Sequence, residues 1–157
     1  MSDLLIRNAR FRDNKVRDIL ILNKIIEEIG NIQESIEIPT IDAKGYLVTT
    51  PFVDSHFHLD ATLSYGIPRV NQSGTLLEGI KLWGELKPNL TVDALKERAR
   101  KLCKWAIARG TLAIRSHVDI SDSSLLAVEA MLDIKNEYRP WLDLQLVAFP
   151  QDGLIRV

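Results

Sequence analysis

The sequence contains little that would suit a disulfide-bonded, membrane-spanning or polyanion-binding protein. Its single cysteine, Cys103, excludes an intrachain disulfide and any metal cluster built from several cysteines. Lys and Arg number 20 against 21 Asp and Glu, so the net charge of −1 offers no basic surplus for nucleic acid. No apolar run approaches the roughly 20 residues of a membrane span. The N-terminal residues lack signal-peptide features, so we expect a cytoplasmic protein that binds neither nucleic acid nor a membrane.

Residues 1–46 consist of short apolar segments that are separated by predicted turns. Residues 4–6, 19–22 and 36–38 are predicted strands, and residues 24–30 form a strand or a helix by periodicity. We therefore expect a small β-rich, sandwich-like accessory segment over residues 1–46.

Strands and helices alternate over residues 47–157. The predicted strands, the first of which begins near Phe52 after Pro51, cover residues 52–58, 111–118 and 142–149. Such alternation implies parallel strands that are joined by right-handed helical crossovers.

Capping residues mark the first two helices between these strands. Thr75 and Glu78 have the spacing of a capping box, which predicts a short helix through Trp83. Thr91 is a predicted cap for the second helix, and Gly110 ends that helix.

A third helix is predicted between the second and third strands. Asp122 is its expected cap and Pro140 its stop. Its periodicity predicts a buried face made of Leu125, Val128 and Leu132.

The triplet His56-Phe57-His58 gives the clearest indication of chemistry. Side chains two residues apart in a strand share a face, so the imidazoles start roughly 6–7 Å apart. Both can lean onto one ion at about 2.1 Å, at a strand end where α/β barrels place their active sites. A chance pair on one strand face is the alternative, and two histidines are too few for a zinc site, which takes at least three protein ligands.

Four segments are more specific than the histidine pair alone, and they are residues 48–60, 71–76, 115–119 and 147–153. The first contains Pro51, a short apolar run and Asp54-Ser-His-Phe-His58, and it resembles the opening signature of the amidohydrolase superfamily. The other three are similar to segments at successive strand ends of bacterial cytosine deaminases.

The resemblance implies a metal-dependent (β/α)8 TIM-like barrel preceded by the β-rich segment, with one divalent metal ion, Fe²⁺ or Zn²⁺. His56 and His58 match the first two metal ligands of that family. Gln151 matches a glutamine whose carboxamide, both donor and acceptor, reads the pyrimidine edge. Leu76 matches an apolar pocket residue near the ring. A solvated loop position for Gln151 and ordinary packing for Leu76 are the alternatives.

Three further polar residues have two interpretations each. His117 is either a group that orients a metal ligand or metal-bound water, or a hydrogen-bonded core histidine. Asp60 and Asp119 either brace the histidines or cap their loops.

The resemblance implies hydrolytic deamination of a cyclic amidine or pyrimidine base, above all cytosine to uracil and ammonia. In the family the third metal histidine, the catalytic glutamate, a further histidine and a metal-binding aspartate come from later strands, so no catalytic residue is expected in this chain before Val157. A whole barrel takes about 250 residues. Residues 47–157 cover only its first three β/α units, so we expect an incomplete chain that is inactive alone.

Other functions stay open. Creatinine, isocytosine or triazine rings are variants of the small, nucleobase-like substrate. Cyclic-amide hydrolysis of the dihydroorotase or hydantoinase kind is the runner-up, against which residues 71–76 and 148–153 argue. The chain is otherwise a non-catalytic fragment, or a subunit that needs a complementary chain or a homo-oligomer.

Overall fold

A computed structural model describes residues 3–33 and 37–153. The chain folds as two compact units, Met1–Thr50 and Pro51–Val157. The division that we predict, into residues 1–46 and 47–157, stays a prediction.

The first unit contains a four-stranded sheet of order β3-β2-β1-β4. Neighbouring strands pair antiparallel, except that β4 pairs parallel with β1. The strands are β1 (Leu4–Arg10), β2 (Val16–Leu22), β3 (Ile25–Gly30) and β4 (Thr40–Asp42).

The strands predicted at residues 4–6 and 19–22 are confirmed, and the segment 24–30, predicted as a strand or a helix, contains strand β3. The strand predicted at residues 36–38 is wrong. Asn23 and Lys24, both with positive φ, form the two-residue turn that joins β2 to β3, which favours a hairpin over a helix. Residues 37 and 38 lie outside any strand, and residue 36 lies outside the described residues. Pro39 has no N–H for pairing, so β4 begins only at Thr40.

The second unit is built on three parallel strands in the order β5-β6-β7. Helices alternate with them along the chain, as predicted. The elements are β5 (Phe52–Phe57), α1 (Leu76–Leu86), a 3-10 turn (Lys87–Asn89), α2 (Val92–Ala108), β6 (Thr111–Asp119), α3 (Leu126–Tyr138) and β7 (Asp143–Phe149).

The predicted caps of the first two helices are confirmed. Thr75 Oγ1 accepts the N–H of Glu78 at 3.3 Å, and Thr91 Oγ1 accepts the N–H of Ala94 at 3.2 Å. α1 runs three residues beyond the predicted end, to Leu86. Its last turn persists because Leu82 and Leu86 are both buried.

The prediction for the third helix is wrong at its start and for two of the three residues of its buried face. Asp122 accepts the N–H of Ser124 within the preceding loop, and Leu125, with φ 51°, stands before the first helical residue. Leu125 and Leu132 are 46% and 49% exposed, whereas Val128 is partly buried against the core. The helix has two apolar stripes, and periodicity alone does not say which one packs on the sheet. The buried stripe is Ala130, Met131, Ile134 and Tyr138.

The core of the second unit lies between the sheet and helices α2 and α3. Cys103 is fully buried there, and burial raises the pKa of its thiol to about 11. The thiol is therefore protonated and inert at neutral pH, as expected of a small core residue. Among the described residues, no helix is both long and apolar enough to cross a bilayer. The buried residues include Leu59, Leu95, Ala99, Ile114, Val118, Met131, Ile134 and Leu144.

Candidate functional site

The three histidines of the sequence come together at the carboxyl ends of β5 and β6. His56 lies in β5, His58 directly follows β5, and His117 lies in β6. The ring centroids of His56 and His58 are 5.5 Å apart, close to the separation expected from strand geometry. His117 lies 4.2 Å from His56 and 5.7 Å from His58. Phe149, at the end of β7, packs edge-on against His58 at 5.2 Å.

The surroundings of His58 favour a neutral imidazole. Burial lowers the pKa of His58, and the nearby His56 and His117 lower it further. Asp60 and a hydrogen bond to the backbone of His117 act in the opposite direction but do not outweigh them. A neutral ring keeps a lone pair for a metal ion, and a hydrogen bond from its second nitrogen sets the tautomer.

The donor set of this cluster fits a divalent transition metal. Imidazole nitrogen suits zinc and iron, and Nδ1 of His117 is buried without a hydrogen-bond partner among the described residues. Within residues 3–33 and 37–153, however, no group of three His, Cys, Asp or Glu is arranged to hold an ion. An ion held by His56 and His58 therefore needs at least one further ligand to complete a site.

Asp60 ties the loop after His58 to the end of β6. It is 2% exposed, and its two carboxylate oxygens accept the N–H groups of Asp119 and Ala61, each at 2.9 Å. Burial raises the pKa of Asp60 despite these hydrogen bonds. Ser116 adds a second link, since its buried Oγ accepts the N–H of Leu59 at 2.9 Å.

The Asp119 side chain lies at the centre of a second set of polar contacts, which its backbone N–H joins to Asp60. Its Oδ2 accepts from Trp83 Nε1 at 2.9 Å and lies 2.6 Å from Lys87 Nζ, while its Oδ1 accepts the N–H of Ser121 at 2.8 Å. Burial by itself would raise the pKa of Asp119, but the hydrogen bonds from Lys87, Ser121 and Trp83 lower it to about 2. The carboxylate is thus ionised at any physiological pH.

Gln151 lies in a turn and Leu76 at the start of a helix, both in the second unit. Gln151 is partly buried in the turn after β7, which is closed by a 3.0 Å hydrogen bond from Gly153 N–H to the Pro150 carbonyl. Leu76 is the first residue of α1 and is 79% exposed. A side chain this exposed contributes little to the core of the described residues.

Sequence comparison decides the family. The amidohydrolase family model matches residues 39–157. The chain belongs to the amidohydrolase family. N-isopropylammelide isopropyl amidohydrolase from Pseudomonas sp. (strain ADP) is 33% identical over 162 residues, which cover 96% of this chain and 39% of that protein.

Two solved amidohydrolase structures are similar to this chain. The 5-methylcytosine deaminase from Klebsiella pneumoniae, liganded with 5-fluorocytosine, is 40% identical with a TM-score of 0.88 and covers 96% of this chain. The N-isopropylammelide isopropylaminohydrolase from Burkholderia multivorans is 28% identical with a TM-score of 0.81 and covers 99% of it. The amidohydrolase chain spans 37% and 39% of these proteins, respectively.

Sequence reasoning missed three residues that organise this part of the amidohydrolase chain. Trp83 is predicted from the sequence only as the end of α1, and its indole N–H donates to Asp119. Lys87 and Ser116 carry no distinguishing local pattern, because their partners are 32 and 57 residues away in the sequence. Only the meeting of strand ends brings these partners together.

The lowered pKa of Asp119 predicts an acid-dependent loss of stability in the amidohydrolase. Because the folded pKa of about 2 is below the usual value of 3.8, the ionised carboxylate stabilises the fold above about pH 4, and this contribution is lost between about pH 4 and 2. We expect Asp119→Asn to weaken the dependence of the urea midpoint on pH over that range. Equal pH dependence in the variant and the unmodified protein would contradict this assignment.

Proposed function

We propose that this amidohydrolase chain serves the hydrolytic deamination of a cytosine-like ring, with release of ammonia. The observation that carries the proposal is that His56 and His58 lie at the carboxyl end of β5 and the Gln151 turn follows the carboxyl end of β7, two outer strands of one parallel sheet in which β6 lies between them. α/β barrels place their chemistry at that face. The 40% identity to a 5-methylcytosine deaminase supports the same class of substrate.

In this proposal residues 47–157 are the first three β/α units of a (β/α)8 barrel, and residues 1–46 are an accessory β-rich segment. Among the described residues β5 and β7 have open edges, which is where further strands would pair in a closed barrel. The third metal ligand and the acid and base groups would come from those further strands.

Each side chain has a defined task in the proposed reaction. His56 and His58 would hold one Fe²⁺ or Zn²⁺ ion, and such an ion would activate water by lowering its pKa from 15.7 to about 7. Gln151 orients the ring, because its carboxamide donates one hydrogen bond and accepts another. Leu76 packs on the ring edge. Water adds to the carbon that bears the exocyclic amine, and ammonia leaves once that nitrogen is protonated.

Asp60, Asp119 and His117 support this arrangement without contacting substrate. Asp60 holds the loop that follows His58, and Asp119 holds the end of β6. His117 packs on the His56 ring at 4.2 Å and restricts its orientation. Replacing a residue that orients a metal ligand in this way typically lowers metal affinity or activity by about 10- to 100-fold.

Amine-substituted triazine rings are the second candidate substrate. The 33% identity to N-isopropylammelide isopropyl amidohydrolase favours this class. Both candidates require water to displace an amine from a nitrogen-containing ring, so they share one site and differ in the groups that contact the ring.

The test is a substrate panel on the protein expressed from its complete open reading frame and loaded with Zn²⁺ or Fe²⁺. Cytosine, 5-methylcytosine, N-isopropylammelide and hydantoin are compared by amine release and by ring opening. We expect amine release from cytosine or 5-methylcytosine to have the highest kcat/KM. Ring opening of hydantoin without amine release would overturn the proposal. Absence of both turnover and bound metal would favour a non-catalytic role.

A further inference from the structure

One lysine joins two loops that follow neighbouring strands of the second unit. Lys87 Nζ lies 2.6 Å from Asp119 Oδ2 and 2.8 Å from Asp152 Oδ2. Asp119 ends β6, and Asp152 lies in the turn after β7. A single ammonium group therefore connects the end of β6 to the turn that carries Gln151.

The Lys87–Asp119 pair of this ion triad is shielded from solvent, and the third member, Asp152, has a side chain that is 27% exposed. The side chains of Lys87 and Asp119 are 12% and 6% exposed, whereas Asp133, which pairs with Lys96, is 50% exposed. Exposed pairs contribute little, because solvent screens them and both side chains lose entropy. Breaking a buried pair is costly, because it leaves a charge without its partner. The geometry around Lys87 is therefore held more firmly than that of a surface pair.

Asp152 is held through its backbone as well as its side chain. Its N–H donates to Ser121 Oγ at 2.9 Å, while its carboxylate accepts from Lys87 at 2.8 Å. The turn itself is closed between Pro150 and Gly153 at 3.0 Å. Gln151 directly precedes Asp152 in this turn. The contacts of Asp152 and the Pro150–Gly153 hydrogen bond therefore restrict the backbone position of Gln151.

The same network reaches the histidine loop. The backbone N–H of Asp119 donates to Asp60 Oδ2 at 2.9 Å, and Asp60 lies two residues after His58. Lys87, Asp119 and Asp60 thus connect the loops after all three strands of the described sheet.

We propose that Lys87 is a positioning residue that sets the location of the Gln151 carboxamide and thereby the discrimination between ring substrates. This inference rests on the proposed function of Gln151. A carboxamide binds the edge of a planar ring well only when it is placed to within about 0.5 Å. The contacts that hold the turn after β7 therefore determine which ring edge Gln151 can bind. Lys87 itself makes no contact with substrate in this proposal.

The test compares Lys87→Met and Asp152→Asn with Lys96→Met in the protein expressed from its complete open reading frame. Lys96→Met is the matched control, because it removes a lysine from an ion pair on the surface of α2 and α3. Asp152→Asn keeps the Lys87–Asp119 pair and so avoids the risk that Lys87→Met fails to fold. We expect both network variants to raise KM for cytosine about 10- to 100-fold while kcat changes far less. Bound metal stays unchanged, and Lys87→Arg recovers part of the loss.

Amide hydrogen exchange of residues 151–153 separates this inference from the proposed function, because it requires no substrate. We expect faster exchange at Asp152 N–H in both network variants and the unmodified rate in Lys96→Met. If exchange at Asp152 N–H is faster in both network variants but the unmodified protein turns over no substrate, the proposed function is overturned. The role of Lys87 in holding the turn would then still stand. If the unmodified protein is active and Asp152→Asn has the same KM, substrate preference and amide exchange rate, the proposed role of Lys87 is overturned.

Discussion

Replacing His58 by Ala is expected to remove the bound metal ion and to lower kcat/KM for ring deamination by at least about 1,000-fold. The physical reason is that water at pH 7 is a poor nucleophile unless a bound ion lowers its pKa from 15.7 to about 7. His58 is suited to hold the ion, because burial lowers the pKa of its ring and a hydrogen bond to the backbone of His117 orients it. Metal content of the purified complete protein and its rate of ammonia release measure the two effects.

His117→Gln is the matched control, because it removes the third imidazole of the same cluster. We expect it to weaken metal affinity by about 10- to 100-fold, as loss of an outer orienting group does. His56→Ala is expected to behave like His58→Ala. Retention of full metal content by His58→Ala together with its loss in His117→Gln would show that the metal site uses a different pair of rings.

Replacing Gln151 by Ala is expected to lower kcat/KM for cytosine by about 10- to 100-fold with the metal content unchanged. The carboxamide of Gln151 makes one donated and one accepted hydrogen bond to the ring in the proposed reaction, and each contributes about 0.5–1.5 kcal/mol. Steady-state kinetics of the complete protein with cytosine measure this loss.

Gln33→Ala is the control for that experiment, since it removes an exposed glutamine from the first unit. We expect its kinetic constants to match those of the unmodified protein. Gln151→Glu adds a sharper comparison, because it preserves the side-chain length and the acceptor but loses the donor. If Gln151→Ala left kcat/KM for every ring substrate unchanged, the turn after β7 would have no part in substrate recognition.

The histidine pair was predictable because its geometry is local. Residues two apart in a strand share a face, so His56 and His58 have to present their rings together wherever the strand lies. The same locality explains the helix starts, since Thr75 and Thr91 accept N–H groups only three residues away. Because these signals span only two or three residues, they depend little on the tertiary context.

The third helix shows where local signals fail. Leu125 and Leu132 share an apolar stripe with Val128, yet the stripe of Ala130 and Met131 is the one that packs on the sheet. Both stripes satisfy helical periodicity. The choice depends on the surface that the helix meets, which residues distant in the sequence provide.

The amino-acid sequence alone determined the family, the alternation of strands and helices, the helix caps at Thr75 and Thr91, and the two imidazoles on one strand face, because each of these depends on residue type and short spacing. Only the tertiary structure decided that His117 lies 4.2 Å from His56 and that Lys87 joins Asp119 to Asp152. Those contacts link residues from 32 to 65 positions apart, and they form only where parallel strands end side by side. Strand pairing is a long-range event, so no local pattern in the chain encodes which loops will meet.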